Sequence, residues 1–220
     1  YDGGAQGNGL SEKNLNLSIA KYCKAELEKY TGVKVYMTRS DDTFIPLADR
    51  TTLAKNWGAD VFVSIHINSG SAAGTGAEVW YPNPTGNTDI HNEGANLAQK
   101  ILDQLGALGL YKRGIHYRNY SYDWSVDQNI GDADYYAVIR NAKANGFPGV
   151  IVEHAFVSNP SDAANYLGNE AALKRLGVAD AKGIAAAYGL SKEPDYTAKD
   201  TTVTAKLNSS QTKATLTATG

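Results

Sequence analysis

The sequence predicts an α/β fold in which helices flank a mixed, mostly parallel sheet. Residues 60–69 are apolar and often β-branched at nearly every position, which is typical of a strand buried on both faces. A second run of this kind at 149–153 ends in Glu153. Helical patterns alternate with these runs along the chain, and such alternation favours a wound sheet.

The first part of the chain opens with a helix over residues 11–30. Ser11 is a suitable N-cap, and Glu12 follows in the first turn, where the helix dipole favours a carboxylate. The pattern next predicts a strand at 33–37, a helix at 46–57 and the buried strand at 60–69.

The second part continues with strands at 77–81, 136–140 and 149–153 and helices at 91–105, 162–167 and 170–188. Glu78 is assigned either to the surface or to a supporting position beside a site. Residues 106–134 are the least periodic. A loop of this length is usually functional, although an insertion that only packs is the alternative.

The chain divides into a first domain over 1–190, a linker over 191–200 and the start of a truncated β-rich domain over 201–220. The last segment alternates as a hairpin. Because the sequence begins inside a glycine-rich loop, we expect residues upstream of Tyr1 and a first strand that is missing here.

Composition restricts the partners. A formal charge of -2 over 220 residues gives no reason to expect nucleic acid, and no apolar run reaches the length of a membrane span. The lone Cys23 is expected to be a buried apolar residue. Fourteen tyrosines with frequent Gly, Asn, Ser and Thr favour a polar polymer such as glycan. We expect a monomer.

Chemistry is indicated at the carboxyl ends of the two buried strands, where ligands gather in α/β sheets. His66 ends the first strand, although a core histidine satisfied by a backbone carbonyl explains it equally well. Glu153 ends the other strand, and burial there would raise its pKa toward that of a general base. A serine hydrolase is disfavoured because no Gly-x-Ser-x-Gly turn occurs.

Four segments in order resemble the zinc-dependent N-acetylmuramoyl-L-alanine amidases of type 3, which act in bacterial cell-wall turnover, sporulation and phage lysis. The segments are 9–13 with 15–17, 38–42 with Leu47 and Arg50, 64–69, and 150–160. The resemblance covers nearly all of residues 1–190. It implies a phosphorylase/hydrolase-like sheet and a secreted, wall-associated or phage-encoded endolysin.

The resemblance also implies a zinc ion (Zn2+) held by two histidines and a glutamate, with a second glutamate as general base. Glu12 matches the carboxylate ligand, His66 the second histidine and Glu153 the base. The first histidine belongs to a Gly-His-Gly-Gly turn that would lie before Tyr1. The remaining histidines, His91, His116 and His154, fall where the family has no ligand, and His154 is expected to pack away from Glu153.

The implied reaction is hydrolysis of the amide between N-acetylmuramic acid and L-alanine of the peptidoglycan stem peptide. Asn68, Arg140 and His116 are candidate substrate-binding residues, although a structural salt bridge explains Arg140 equally well. Two other classes stay open. One is a cell-wall binding module that no longer catalyses, and the other is a zinc peptidase acting on stem peptides.

Overall fold

The computed structural model describes residues 3–120 and 132–192 and the backbone of two later strands. The elements in chain order are β1 Gln6–Gly7, β2 Leu10–Ser11, α1 Glu12–Leu27, α2 Leu47–Asn56, β3 Phe62–Asn68, β4 Ala77–Trp80, α3 Thr88–Ala107, β5 Lys112–His116, α4 Ala137–Ala144, β6 Gly149–Phe156, α5 Pro160–Asp162 with a π-helical turn at Ala163–Leu167, α6 Glu170–Tyr188, β7 Thr202–Leu207 and β8 Ala214–Thr219.

The central sheet has the strand order β3-β6-β4-β5. β3 is parallel to β6 and β4 is parallel to β5, whereas β4 and β6 are antiparallel. Two of the three neighbouring pairs are therefore parallel. This arrangement confirms the predicted mixed, mostly parallel sheet flanked by helices.

Register assigns side chains to the two faces of the sheet, because paired residues on neighbouring strands point to the same side. One row joins His66, Glu153 and Glu78, and the row beside it joins Ser64, Ile151 and Trp80. We call the face that carries these two rows the polar face. The opposite, apolar face carries residues such as Val63, Val150, Val152 and Val79.

The main core lies on the apolar face, beneath α1, α3 and α6. Val150, Val152 and Val79 are fully buried there against Ile19 of α1, Leu97 of α3 and other helical residues. The predicted burial of Cys23 is confirmed, since it belongs to the same cluster.

A smaller core lies on the polar face, beneath α2 and α4. It joins Phe62 and Ile151 of the sheet to Ala54 of α2 and to Ile139 and Ala142 of α4. This smaller cluster leaves the row of His66, Glu153 and Glu78 outside its apolar packing.

Two sequence predictions are wrong, and one strand was missed. Residues 33–37 form no strand, because the backbone of Val35 is bonded instead by the Lys24 and Glu28 side chains of α1. Residues 136–140 belong largely to helix α4, whose buried residues Val138, Ile139 and Ala142 follow helical spacing. The expected loop 106–134 contains β5, and its residues 121–131 lie outside the described part.

The predicted hairpin near the end of the chain is confirmed as an antiparallel pairing of β7 with β8. The predicted linker lies almost wholly among residues that the structure does not describe. Within the described residues, helices fall short of the length and apolar character needed to cross a membrane.

Candidate active site

Glu12 stands at the start of α1 and is held by groups from two other parts of the fold. Its Oε1 atom accepts hydrogen bonds from His66 Nδ1 at 2.9 Å and from the Ile67 amide at 3.2 Å. Its Oε2 atom accepts from the Ala5 amide at 2.7 Å. Residues more than fifty positions apart therefore meet at one carboxylate, as the sequence predicts for Glu12 and His66.

The loop before α1 is shaped around this carboxylate. Gly4 has a φ of +66°, and a Cβ atom there would lie 2.6 Å from Glu12 Oε2, so glycine is required by conformation and by space. Burial alone would raise the pKa of Glu12, but the hydrogen bonds from His66, Ala5 and Ile67 outweigh it and lower the pKa to about 2. Glu12 is thus an anion at neutral pH.

The His66 ring is oriented from both sides. Because the anionic Glu12 can only accept, His66 Nδ1 carries a hydrogen and donates it. In the neutral ring, Nε2 then accepts from the Ser64 hydroxyl, whose oxygen lies 3.0 Å away. Ser64 is buried two residues earlier on the same face of β3. The pair fixes the tautomer of the neutral imidazole.

Glu153 lies directly beside His66 in the register of β3 and β6. Its Oε2 atom is buried and has no hydrogen-bond partner among the described residues. Burial raises the pKa of Glu153 to about 7, the charges of Glu12 and Glu78 add to the rise, and His66 and His154 oppose it. A carboxyl group with this pKa can accept and release a proton near neutral pH.

The three predicted residues thus share one end of the sheet. Glu12 and His66 also line a cleft of about 1340 Å³ that runs along β3 toward residues 33–39.

His154 is fully buried and points to the apolar face, where Asp180 Oδ2 lies 2.8 Å from its Nε2 atom. The prediction that His154 packs away from Glu153 is confirmed.

Glu12 and His66 are the described side chains of this site that could bind zinc. A carboxylate and an imidazole in contact are ligands that zinc takes, and a catalytic site uses three protein ligands. Among the described residues, no group of three or more His, Cys, Asp or Glu is placed to hold a metal. Glu12 and His66 therefore fit zinc in kind but supply two ligands, so a third would come from outside the described residues.

The predicted substrate-binding residues lie in different surroundings. Asn68 Nδ2 donates to Glu78 Oε1 at 2.9 Å, in the row next to His66. His116 ends β5 on the polar face, and its ring centroid lies 5.2 Å from that of Trp80. Arg140 Nη1 donates to the Asp134 and Tyr135 carbonyls. Two acceptors of Arg140 are therefore backbone groups of its own neighbourhood.

Sequence reasoning missed two polar-face residues near Glu153. Tyr136 packs on Trp80 with 5.1 Å between the ring centroids. Burial raises the pKa of Tyr136, and the charges of Glu153 and Glu78 raise it further, whereas Arg118 lowers it. Arg113 forms an ion pair with Glu78. The alternating pattern of 77–81 placed Glu78 on one face of a strand, but nothing in the sequence indicated that Arg113 would reach it.

Comparison with known proteins identifies relatives over most of the chain. The sequence model of the N-acetylmuramoyl-L-alanine amidase family matches residues 1–186. The sporulation-specific N-acetylmuramoyl-L-alanine amidase of Bacillus subtilis (strain 168) is 33% identical over 198 residues, which are 87% of this chain and 65% of that protein. N-acetylmuramoyl-L-alanine amidase LytC of the same strain is 36% identical over 74% of this chain and 28% of its own length.

A solved structure has the same fold. The catalytic domain of CwlV, an N-acetylmuramoyl-L-alanine amidase from Bacillus (Paenibacillus) polymyxa var. colistinus, superposes with a TM-score of 0.68 at 31% identity. The match covers 86% of this chain and 93% of that domain. The chain spans less than two thirds of the length of the two curated relatives named above.

Proposed function

The chain belongs to the N-acetylmuramoyl-L-alanine amidase family, and we propose that it hydrolyses the amide between N-acetylmuramic acid and L-alanine of the peptidoglycan stem peptide. One observation carries the proposal: Glu12, His66 and Glu153 lie together at one end of the sheet. Action on peptidoglycan places the protein outside the membrane, as a secreted, wall-associated or phage-encoded lysin. We expect it to act as a monomer.

Zinc dependence is part of the proposal. Glu12 and His66 would hold the ion together with a third ligand from outside the described residues. Zinc supplies Lewis acidity, which polarises a carbonyl and lowers the pKa of bound water. The anionic state of Glu12 at neutral pH suits this role, because a metal ligand must be deprotonated.

Glu153 acts as the general base. Its unpartnered Oε2 atom takes a proton from the attacking water and passes it to the nitrogen of the departing L-alanine, so that the base is regenerated. A pKa of about 7 suits both halves of this transfer. Asn68, Arg140 and His116 remain our candidates for binding the substrate.

The test uses the full-length protein with zinc and purified peptidoglycan, and mass spectrometry identifies the new ends. We expect stem peptides that begin with free L-alanine. Glu153→Gln should bind zinc but lose about 10²–10⁴ in rate, whereas Glu12→Ala should lose zinc, measured as metal content. New amino groups on other stem residues would indicate a peptidase, and new reducing sugar ends a glycosidase.

A second candidate is a wall-binding module without catalysis. It is favoured by the small ligand set, since the described residues supply two zinc ligands. Binding of intact peptidoglycan by wild-type protein, with no release of stem peptide at any zinc concentration, would support this alternative and overturn the amidase proposal.

A further inference from the structure

Two irregularities of the central sheet meet at Glu78. Between β3 and β6, His66 pairs with Glu153 but Asn68 pairs with Phe156, so β6 carries one extra residue. Between β4 and β5, Ala77 pairs with Lys112 but Glu78 pairs with Gly114, which leaves Arg113 as the extra residue. Bulges redirect side chains and are frequent beside active sites.

Both oxygens of the Glu78 carboxylate are used by the residues at these bulges. Asn68 Nδ2 donates to Oε1 at 2.9 Å, and Arg113 Nε donates to Oε2 at 2.7 Å. The Glu78 residue is 8% exposed, and hydrogen bonds to a charged acceptor are among the strong ones. Glu78, on β4, therefore bonds to β3 across the intervening strand β6 and to the neighbouring strand β5.

The bulge in β5 depends on a glycine at the position opposite Glu78. Gly114 has a φ of +120°, which L side chains rarely adopt, and a Cβ atom there would lie 3.2 Å from the His116 ring. From its place in the bulge, Arg113 reaches Glu78, and its guanidinium carbon lies 4.9 Å from the Phe156 ring centroid.

The Glu78 carboxylate also lies beside the proposed base. Glu78 and Glu153 are direct partners across antiparallel strands, where two carboxylates repel each other. Glu78 bonds to Asn68 and Arg113, whereas Glu153 Oε2 has no partner among the described residues. Arg113 compensates the charge of Glu78, while Glu153 Oε2 is left without a partner among the described residues.

The contacts of Asn68 fix which way its amide points. Glu78 can only accept, and the Ser69 amide can only donate to Asn68 Oδ1, at 2.8 Å. The nitrogen and oxygen ends are therefore assigned by chemistry. One hydrogen of Asn68 Nδ2 is used by Glu78, and the second has no acceptor among the residues that the structure describes.

We propose that Glu78, paired with Arg113, is a positioning residue that holds Asn68 so that its second amide hydrogen faces the substrate carbonyl. The substrate in this statement rests on the proposed amidase function. The positioning itself rests on the two bulges and the four side-chain contacts described above. Neither Glu78 nor Arg113 touches the reacting atoms in this role.

The main test is Glu78→Gln in the full-length zinc-loaded protein. The amide of glutamine keeps the size but has one acceptor end and one donor end, so it can accept from Asn68 or from Arg113 but not from both. Because loss of positioning acts mainly on the reacting geometry, we expect kcat to fall about 10–100-fold with little change in KM. Asn68→Ala should have a similar effect, and the double variant should lose little more than either single variant.

Glu26→Gln is the matched control. Glu26 is also 8% exposed and also pairs with cations, Lys29 and Lys192, but it lies on α1 away from the polar face. The same substitution there should leave kcat unchanged. Full kcat in a folded Glu78→Gln protein, or additive losses in the double variant, would overturn the proposal.

A second readout is independent of activity. In nitrogen-15 spectra, the two side-chain amide protons of Asn68 should be shifted from the values of a solvent-exposed asparagine and should exchange slowly with water in wild type. In Glu78→Gln both signals should move toward the solvent-exposed values and exchange faster. If Glu78→Gln does not fold, Arg113→Lys serves instead and should shift the same signals partially. Solvent-exposed shifts and fast exchange of these protons in wild type would refute the positioning even if the protein is an amidase. Ordered signals without hydrolysis would refute only the proposed function.

Discussion

The two faces of the sheet differ in how a buried carboxyl group is paired: Asp180 and Glu153 each have one buried oxygen without a partner among the described residues, but Asp180 also bonds to a histidine. On the apolar face, His154 donates from Nδ1 to the His66 carbonyl and from Nε2 to Asp180, so each ring nitrogen has a partner. On the polar face, Glu153 has a buried oxygen without a partner among the described residues. The apolar face lies beneath three helices of 16, 20 and 19 residues, and the polar face beneath two of 10 and 8 residues.

This difference separates stability from chemistry within one sheet. A paired buried charge fixes the structure around it, whereas an unpaired carboxyl is destabilised as an anion and therefore ready to take up a proton. The contact from His154 to the His66 carbonyl links the two faces, because it fixes the backbone of a residue that belongs to the active site.

The largest expected change in the free energy of unfolding is that of His154→Leu, on the apolar face. The His66 carbonyl and the Asp180 carboxylate can only accept, so both nitrogens of the His154 ring carry a hydrogen. Burial alone would lower the pKa of His154, but the Asp180 charge and the hydrogen bonds outweigh burial and raise this pKa. Removing the ring leaves Asp180 buried at 0% exposure without its cation. We expect a loss of about 3–5 kcal/mol in the free energy of unfolding, measured by urea denaturation at pH 6.

The control is the double variant His154→Leu with Asp180→Leu. If the loss comes from the unpaired carboxylate, replacing both partners by apolar side chains should restore most of the stability. A single variant as stable as wild type would show that the apolar face does not depend on this pair.

On the polar face, we expect a substitution to raise the free energy of unfolding: Glu153→Gln, measured without zinc. The pKa of Glu153 rises from 4.5 to about 7 on folding, so the folded state binds more protons than the unfolded state in that range. Wild-type stability therefore falls as pH rises from about 4.5 to 7, and glutamine removes this loss. We expect a gain of roughly 3 kcal/mol at pH 8 that disappears below pH 4.5.

Denaturation in chelator at pH 4, 6 and 8 measures this gain. Glu26→Gln is the control of opposite sign: burial alone would raise the pKa of Glu26, but Lys192 and Lys29 outweigh it and lower the pKa. That variant should lose stability above pH 4.5. A Glu153→Gln protein that is less stable than wild type at pH 8 would contradict the contrast between the faces.

The sequence predicted the convergence of residues at or near the boundaries of elements, although the predicted strand 149–153 ends three residues before β6 does. Glu12 begins α1, and His66 and Glu153 lie near the carboxyl ends of apolar strands, so their convergence follows from the rule that such ends share an edge. Glu78 and Arg113 depend on strand register and on bulges, which arise from long-range pairing and leave no local pattern in the sequence.

The errors in the fold have similar causes. The β-branched pair Val138 and Ile139 favours a strand locally, but packing on β6 places both on the buried face of helix α4. Strand β5, with the sequence Lys-Arg-Gly-Ile-His, has too few apolar positions to show alternation and is defined by its pairing with β4. Residues 33–37 have strand composition but no strand beside them among the described residues.

The smallest expected effect concerns how the helices over each face begin. On the apolar face, Asn169 caps α6 by accepting from the Ala172 amide at 2.9 Å, and Asn87 caps α3 in the same way. Ser11, the expected cap of α1, makes no such bond and donates to the Gly3 carbonyl instead. On the polar face, neither α2 nor α4 has a side-chain cap. Asn169→Ala should therefore cost about 1 kcal/mol and lower Tm by about 2–4 °C, measured by calorimetry. Asn169→Asp keeps the acceptor and should restore the wild-type Tm. An unchanged Tm in Asn169→Ala would mean that α6 is stabilised by packing on the apolar face and not by its cap.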